Sequence, residues 1–504
     1  MRKRSISIDV NHFKTASNMA KGSKAYWILK SYIRFWTEKV YYEETFVEGI
    51  ENIPSDGTPV MIASNHQNSM NDALGILLAI NDRKPNFIVR ADVFGISAGF
   101  GKFLRAIGLL PAYRLNYEGA AALSANATTF KVSEEALIGG ETVVIFPEGG
   151  HAEGHWLNIF KGGMAKMAFE AAELAGFEKD IKIVPACNHY SSYHGLRGRQ
   201  LVRFAEPISL SKYYDLYREK PRTAAREVAA ELRAKIESMM LDVKDKEFYD
   251  ELEFIRCGQI GDEFAAGRGI EESDFSGRLE SDKILVDKFL SARKSENPYF
   301  RVINSEEGQT RSELSFLQRK EQKSAADADG AGEMPATPVE ELLLETRQLL
   351  KTYTAHHLED RQFRDRPTLF GLVLQLAALA VLSPMALVCL WPSAFCWFLP
   401  LHFAKKAKGD MFEGTFVLAM NILVIIPLAA ILTFIVASLK FTVLFAAILV
   451  LVLPLVLLFE WRYFKTAREA IADCRYFRLS KNERRDIASD RIALFAKLTE
   501  FLKK

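Results

Sequence analysis

The chain has 504 residues, of which 49% are hydrophobic, and its 65 Lys and Arg stand against 63 Asp and Glu for a formal net charge of +2. That length leaves room for about two to four domains, and that apolar content excludes disorder throughout. The near balance of charge gives no global field pointing to nucleic acid, and five scattered cysteines without a C-x-x-C pair argue against both a disulfide framework and a zinc site.

The opening "MRKRSISIDVNHFKTASNMAKGSK" is basic but has no apolar h-region, so a cleaved secretory signal is not expected. Residues 25–42, "AYWILKSYIRFWTEKVYY", place Tyr26, Trp27, Ile33 and Trp36 beside Lys30, Arg34 and Lys39. This reads either as a helix lying in a membrane interface or as one packed on its own domain, and residues 1–45 are assigned to it. From residue 46 to 205 short β-rich runs ("PVMIASN", "PNFIVRA", "TVVIFPE", "IKIVPAC", "QLVRFAE") alternate with helical ones ("ALGILLAIN", "TTFKVSEEALIGG", "MAKMAFEAAELAG"). Such alternation predicts an α/β fold with a mostly parallel sheet flanked by helices. In such sheets functional groups gather where strands end and helices begin.

Residues 206–303 read as a helical extension, with Val228, Leu232 and Ile236 at helical spacing, and 304–365 as a polar linker followed by a helix. No Asp, Glu, Lys or Arg occurs from Thr368 to His402, from Thr415 to Leu439 or from Phe441 to Phe459, which predicts an α-helical membrane domain over 366–460 with three or four passes. Two arrangements stay open: two hairpins turning near Pro392 and near Ser438 to Lys440, or a single first span with a re-entrant piece broken by Pro384, Pro392 and Pro400. Basic clusters at Arg361, Arg364 and Arg366, at Lys405, Lys406 and Lys408, and at Arg462, Lys465 and Arg468 place the flanks and the helical tail 461–504 in the cytoplasm under the hairpin arrangement.

Four short stretches carry candidate chemistry. "SNHQNSMNDAL" (64–74) follows an apolar strand and sets His66 six positions before Asp72. An imidazole takes a proton from an alcohol only when its other nitrogen is held in the right tautomer, and a nearby carboxylate does this. "VVIFPEGGH" (143–151) ends a strand in Pro147, Glu148, Gly149 and Gly150, where backbone amides can approach a ligand. "GLLPAYRLN" (108–116) offers the Arg114 guanidinium for a phosphate, and "IVPACNHY" (183–190) is another apolar strand closed by a proline, which by itself reads only as a loop. A metal hydrolase using His151, His155, His189 and His194 is disfavoured, since no carboxylate or Cys completes a ligand spacing.

In order and spacing these four blocks resemble the glycerophospholipid acyltransferase family, enzymes that acylate glycerol 3-phosphate or lysophosphatidic acid. The similarity covers residues 46 to 205, through "VEGIENIPSDGTPVMIASNHQNSMNDAL", "LRAIGLLPAYR", "VVIFPEGGHAEGHWLNIFKGGMAKMAFEAAE" and "IKIVPACNHY". The resemblance implies His66 as general base, Asp72 as its orienting carboxylate, and Arg114, Glu148 and Gly149 as the glycerol-phosphate site. Pro185 falls in the fourth block, near the acyl donor, and Arg90 and Asp92 are second-tier candidates. It implies no metal and no cofactor, with acyl-CoA or acyl carrier protein supplying the acyl group as co-substrate, and membrane lipid as the surrounding partner.

Two departures from the family pattern stand out. Five residues rather than four separate His66 from Asp72, which leaves Asn71 at the usual acid position. "FPEGGH" lacks the hydroxyl and basic residues usual after the first glycine, which moves phosphate binding toward the backbone at Gly150 and toward Lys161. The resulting expectation is a membrane-bound O-acyltransferase of phospholipid synthesis with its site facing the cytoplasm. The alternatives are an acyltransferase for another lipid acceptor and a non-catalytic lipid-binding scaffold.

Overall fold

The computed structural model describes residues 22–55, 57–90, 94, 101–102, 104–105, 107–112, 120–150, 154–160, 162–193, 196–296, 336–404, 418, 420–440 and 442–503. The chain divides into two compact units, one formed by Met1–Ala152 and Leu157–Met240, the other by Glu153–Trp156 and Leu241–Lys504.

The first unit is built on a sheet whose strands, in chain order, are β1 (Glu44–Glu48), β2 (Val60–Ser64), β3 (Asn86–Arg90), β4 (Leu109–Ala112), β5 (Thr142–Ile145), β6 (Lys182–Tyr190), β7 (Arg199–Phe204) and β8 (Ile208–Ser209). Among the described residues the spatial order is β1-β7-β6-β2-β5-β3-β4, with β8 also on β6. Pairing is parallel except where β7 and β8 run against β6. The mostly parallel α/β sheet expected from the alternation of runs is therefore present.

Its helices are α1 (Lys24–Phe35), running into a π-helical turn over Trp36–Tyr41, α2 (Met70–Ala79), α3 (Ala120–Ile138), α4 (Gly163–Leu174), α5 (Tyr214–Glu219) and α6 (Pro221–Met239). The period-2 alternation of strand side chains sorts the core into two layers. Val60 and Ile62 of β2 join Ile76 and Ala79 of α2 on one face. Met61 and Ala63 join Met164, Ala168 and Phe169 of α4 and Val228, Leu232 and Ile236 of α6 on the other. Because α6 buries its apolar stripe against this sheet, the unit extends to Met240 rather than stopping at 205.

Helix α1 packs on its own unit through Tyr26, Lys30 and Ile33, while Ile28 and Phe35 stay exposed. Its cations cap the C-terminal carbonyls of α2, where the helix dipole favours positive charge. Arg34 Nη2 donates to Leu78 O at 2.5 Å, and Lys30 Nζ donates to Ile80 O.

The second unit is helical among the described residues: α7 (Tyr249–Cys257), α8 (Gln259–Gly267), α9 (Phe275–Glu296), α10 (Pro338–His356), α11 (Arg361–Arg364), α12 (Leu369–Ala404), α13 (Ile426–Lys440), α14 (Val443–Arg478) and α15 (Lys481–Lys503). Helix α12 continues through Pro384, Pro392 and Pro400, so the turn expected near Pro392 is not formed. The break between α13 and α14 does fall next to the expected turn after Ser438. A 36-residue helix is about 54 Å long at 1.5 Å per residue, well beyond the roughly 30 Å hydrocarbon core of a bilayer. Prolines survive inside such a helix where neighbouring helices satisfy the freed backbone groups, and α12 packs along α14.

Segments Leu369–Leu390 and Ala447–Arg478 are long and apolar enough to cross a membrane, and Ile426–Leu439 is a shorter apolar helix. Val381 and Leu451 are 78% and 76% exposed, which is costly in water and favourable in lipid. Polar ties reach α14 from two helices: Ser393 on α12 hydrogen-bonds Glu460, and Arg361 on α11 pairs with Asp473 at 2.6 Å.

Candidate active site

Three central strands bring three of the four sequence blocks together. Strand β2 lies between β5 and β6, parallel to both, with Ala63 in register with Ile145 and with Pro185. The loops leaving β2 and β5 therefore emerge side by side at the same edge of the sheet. His66 and Glu148 sit on those loops.

His66 Nδ1 lies 2.9 Å from Asp72 Oδ2. Asp72 is the third residue of α2, a position from which a carboxylate reaches back over the helix N-terminus. The same Oδ2 accepts the backbone N–H of Gln67 at 3.0 Å and of Asn68 at 2.8 Å, while Oδ1 accepts the Tyr190 hydroxyl at 2.8 Å. This fully buried carboxylate thus takes four donors, which hold it at the imidazole in one orientation. Asn71, at the position usual for the acid, turns to Asn68 instead: its Nδ2 donates to Asn68 Oδ1 at 3.1 Å. The longer spacing is absorbed by a loop in which Ser69 takes a left-handed φ of 49° before the helix begins.

The amides around His66 fasten the loop. Asn65 extends the ladder between β2 and β6, its Nδ2 donating to Asn188 O at 3.0 Å and its Oδ1 accepting Asn188 N–H at 2.8 Å. Tyr193 donates to Gln67 Oε1 at 2.8 Å. Below them α2 approaches β6 and β7 closely at Gly75, where an added Cβ would stand 2.5 Å from Gln200 Nε2 and 2.6 Å from Asn188 Oδ1. Burial pushes the Tyr190 phenol well above its usual range and the Asp72 charge adds to the shift, so the hydroxyl remains a donor.

The block after β5 forms a tight turn, closed by Gly149 N–H to Phe146 O at 3.1 Å, with Pro147 at the position that pre-sets φ. Gly149 has φ 65°, a left-handed conformation that glycine adopts without a Cβ penalty. Phe146 stacks on the His66 ring with centroids 4.1 Å apart and planes 16° apart. Glu148 is buried: Oε1 accepts His66 N–H at 2.7 Å and Oε2 accepts Asn158 N–H at 2.9 Å. Burial pushes its carboxyl up to about 8, against the pull of those two amides and of Arg233.

The expected site residues thus separate. His66 and Asp72 are in contact, and among the described residues nothing stands within 4 Å of a Cβ added at Gly150. Glu148 turns both oxygens to backbone amides rather than to a ligand, because its side chain points under the His66 loop. Pro185 is buried in mid-strand, its carbonyl bonded to Ala205 N–H at 2.9 Å, and so offers no surface to an acyl donor. Arg114, Lys161 and Asp92 lie outside the described residues, and Arg90 is described only as the last residue of β3. Tyr190, Phe146, Asn158 and Asn188 complete the site without having been singled out in the sequence. Among the described residues no group of three or more His, Cys, Asp or Glu side chains is placed to hold a metal ion.

The fold and the site define an α/β protein with a histidine–carboxylate pair at the end of a central parallel strand. The sequence model of the family described as Acyltransferase matches residues 44–188. A glycerol-3-phosphate O-acyltransferase 2 from Saccharomyces cerevisiae is 31% identical over 136 residues, covering 27% of this chain and 18% of the relative. The chloroplastic 1-acyl-sn-glycerol-3-phosphate acyltransferase LPAT1 of Arabidopsis thaliana is 30% identical over 139 residues, covering 28% of this chain and 34% of its own. The chain thus spans about a third or less of each of these relatives. The crystal structure of the Thermotoga maritima 1-acyl-sn-glycerophosphate acyltransferase PlsC aligns with 45% of the chain and 95% of its own at 15% identity and a TM-score of 0.29. Over residues 44–188 the chain therefore carries an acyltransferase domain similar to those of glycerol-3-phosphate and 1-acylglycerol-3-phosphate acyltransferases.

Proposed function

We propose that the protein is a membrane-bound O-acyltransferase of phospholipid synthesis, moving a fatty acyl group from an acyl thioester to a hydroxyl of glycerol 3-phosphate or lysophosphatidic acid. The observation that carries this reading is the His66–Asp72 contact, with three further donors holding the carboxylate in place. Asp72 keeps a proton on Nδ1, so Nε2 is the basic nitrogen that takes the hydroxyl proton of the acceptor. The freed oxygen attacks the thioester carbonyl, the carbon–sulfur bond breaks, and the thiolate leaves as a thiol with the proton held by the imidazolium. No covalent enzyme intermediate is needed. The donor is acyl-CoA or acyl-ACP. By their places in the family motifs, Arg114, Lys161 and the backbone at Gly149 and Gly150 receive the acceptor phosphate.

The apolar helices α12, α13 and α14 hold the chain in the bilayer where a lysophospholipid acceptor resides, with the site on the cytoplasmic side. The test is transfer from labelled acyl-CoA to glycerol 3-phosphate, dihydroxyacetone phosphate and lysophosphatidic acid, with products separated by thin-layer chromatography. His66→Ala is expected to lower turnover by about 10² to 10⁴ with an unchanged melting curve, the range for losing a positioned base. Near-normal transfer by that variant would refute the mechanism. A wild-type protein that consumes no acyl thioester with any acceptor would point to a lipid-binding scaffold instead.

A further inference from the structure

We propose that Glu148 is a positioning residue, an ionised brace that fixes the backbone of His66 to the turn after β5, and that it does not bind the acceptor. The inference rests on His66 being the base of the reaction above.

The side chain is 3% exposed, and its two oxygens are spent on two backbone donors 92 residues apart in sequence, His66 N–H at 2.7 Å and Asn158 N–H at 2.9 Å. Both oxygens of a carboxylate so enclosed face backbone amides and not a polyol, and where it is ionised its charge would repel a phosphate. The same turn holds the imidazole ring, since Phe146, two positions earlier, stacks on it. From the far side Arg233 on α6 secures the segment that carries the second donor, with Nη1 to Asn158 O at 2.7 Å and Nη2 to Leu157 O at 3.1 Å. Base, turn and Asn158 segment are thus tied through one carboxylate.

Two amide donors need two acceptors, and only the ionised form supplies them. A neutral carboxyl keeps one good acceptor and turns a hydroxyl toward the other N–H. Burial lifts Glu148 to about 8. Among the described residues the groups that face it are His66 on the loop after β2, Asp72 on α2, whose charge raises it further, and Arg233 on α6, which lowers it. The brace is therefore complete above about pH 8 and loosens as the carboxyl takes a proton below it.

The experiment uses the full-length protein in detergent or lipid and three readouts. Glu148→Gln keeps the shape but turns an amide donor toward a backbone N–H, and Glu148→Asp keeps the charge but reaches one donor only. Both are expected to lose kcat by about 10- to 100-fold, the scale of a small misplacement of a catalytic group. The KM for the acceptor should stay within about twofold, since a positioning role leaves ground-state binding alone. In the wild type kcat should rise with pH through about 8, and that rise should be missing in Glu148→Gln. Hydrogen exchange by mass spectrometry should show faster exchange in the peptides containing His66 and Asn158. A raised acceptor KM with unchanged kcat would overturn the brace and restore a ligand role. If the wild type transfers no acyl group at all, the functional reading fails separately, while unchanged exchange at His66 and Asn158 in Glu148→Gln would still overturn the brace.

Discussion

Replacing Tyr190 by Phe removes a single oxygen from beneath the His66–Asp72 pair. That oxygen donates to Asp72 Oδ1 at 2.8 Å and accepts Gln200 Nε2 at 3.3 Å. A buried hydrogen bond to a charged group contributes about 1.5 to 3 kcal/mol and a neutral one about 0.5 to 1.5. Gln200 retains a long contact to Asn71 O at 3.4 Å, so the second loss falls at the low end of its range. Together they predict a destabilisation of about 2 to 4 kcal/mol, or a fall of roughly 5 to 15 °C in apparent Tm for a unit of this size. Asp72 keeps three of its four donors, so the pair persists but is held less firmly. If about 1 to 2 kcal/mol of the loss appears in the transition state, kcat falls by roughly 5- to 30-fold. The assay is initial-rate acyl transfer at saturating acceptor, with a melting curve on the same preparation. A Phe variant with wild-type Tm and wild-type kcat would show that the tyrosine does not hold the carboxylate.

Three further outcomes follow from the same geometry. Gly75→Val places a branched side chain where even a Cβ would meet Gln200 Nε2 at 2.5 Å, so the variant should lose about 1 to 3 kcal/mol by overpacking and lower kcat by displacing α2, which carries Asp72; unchanged denaturation would refute the close approach. Burial, with the nearby Arg34 charge, lowers Lys30 to about 8 from 10.5. The unfolded chain then binds the extra proton between those values, so stability should rise with pH from about 8 to about 10.5. Lys30→Met should flatten that rise, read as the difference between the two proteins in denaturant titrations across the window. If α12 and α14 cross a membrane as proposed, alkaline carbonate washing of membranes should leave the full chain in the pellet, because both helices carry exposed apolar surface; release into the supernatant would refute the membrane assignment of these helices.

Several elements of the fold were legible as local patterns. The runs at Val60–Ser64, Asn86–Arg90, Thr142–Ile145, Lys182–Tyr190 and Arg199–Phe204 are strands where apolar and β-branched residues predict them. Strand β1, "ETFVE", carries too few apolar positions to stand out, and β4, "LLPA", is only four residues long and contains a proline; both exist because neighbours in the sheet complete their hydrogen bonds. Pro392 reads as a breaker along the chain, yet the helix passes through it, since packing along α14 outweighs the local penalty.

At the site, the sequence alone determined which groups are available and that His66 and Asp72 stand one helix start apart, because a loop followed by a helical first turn is local geometry. Only the tertiary structure decided which way each group points. Tyr190 reaches Asp72 across 118 residues of chain, and Glu148 reaches His66 across 82. Those pairings exist because β2, β5 and β6 lie side by side, and no local periodicity encodes which strands become neighbours. A buried carboxylate must find donors wherever the folded chain supplies them, and that requirement turned Glu148 inward, toward the backbone and away from solvent.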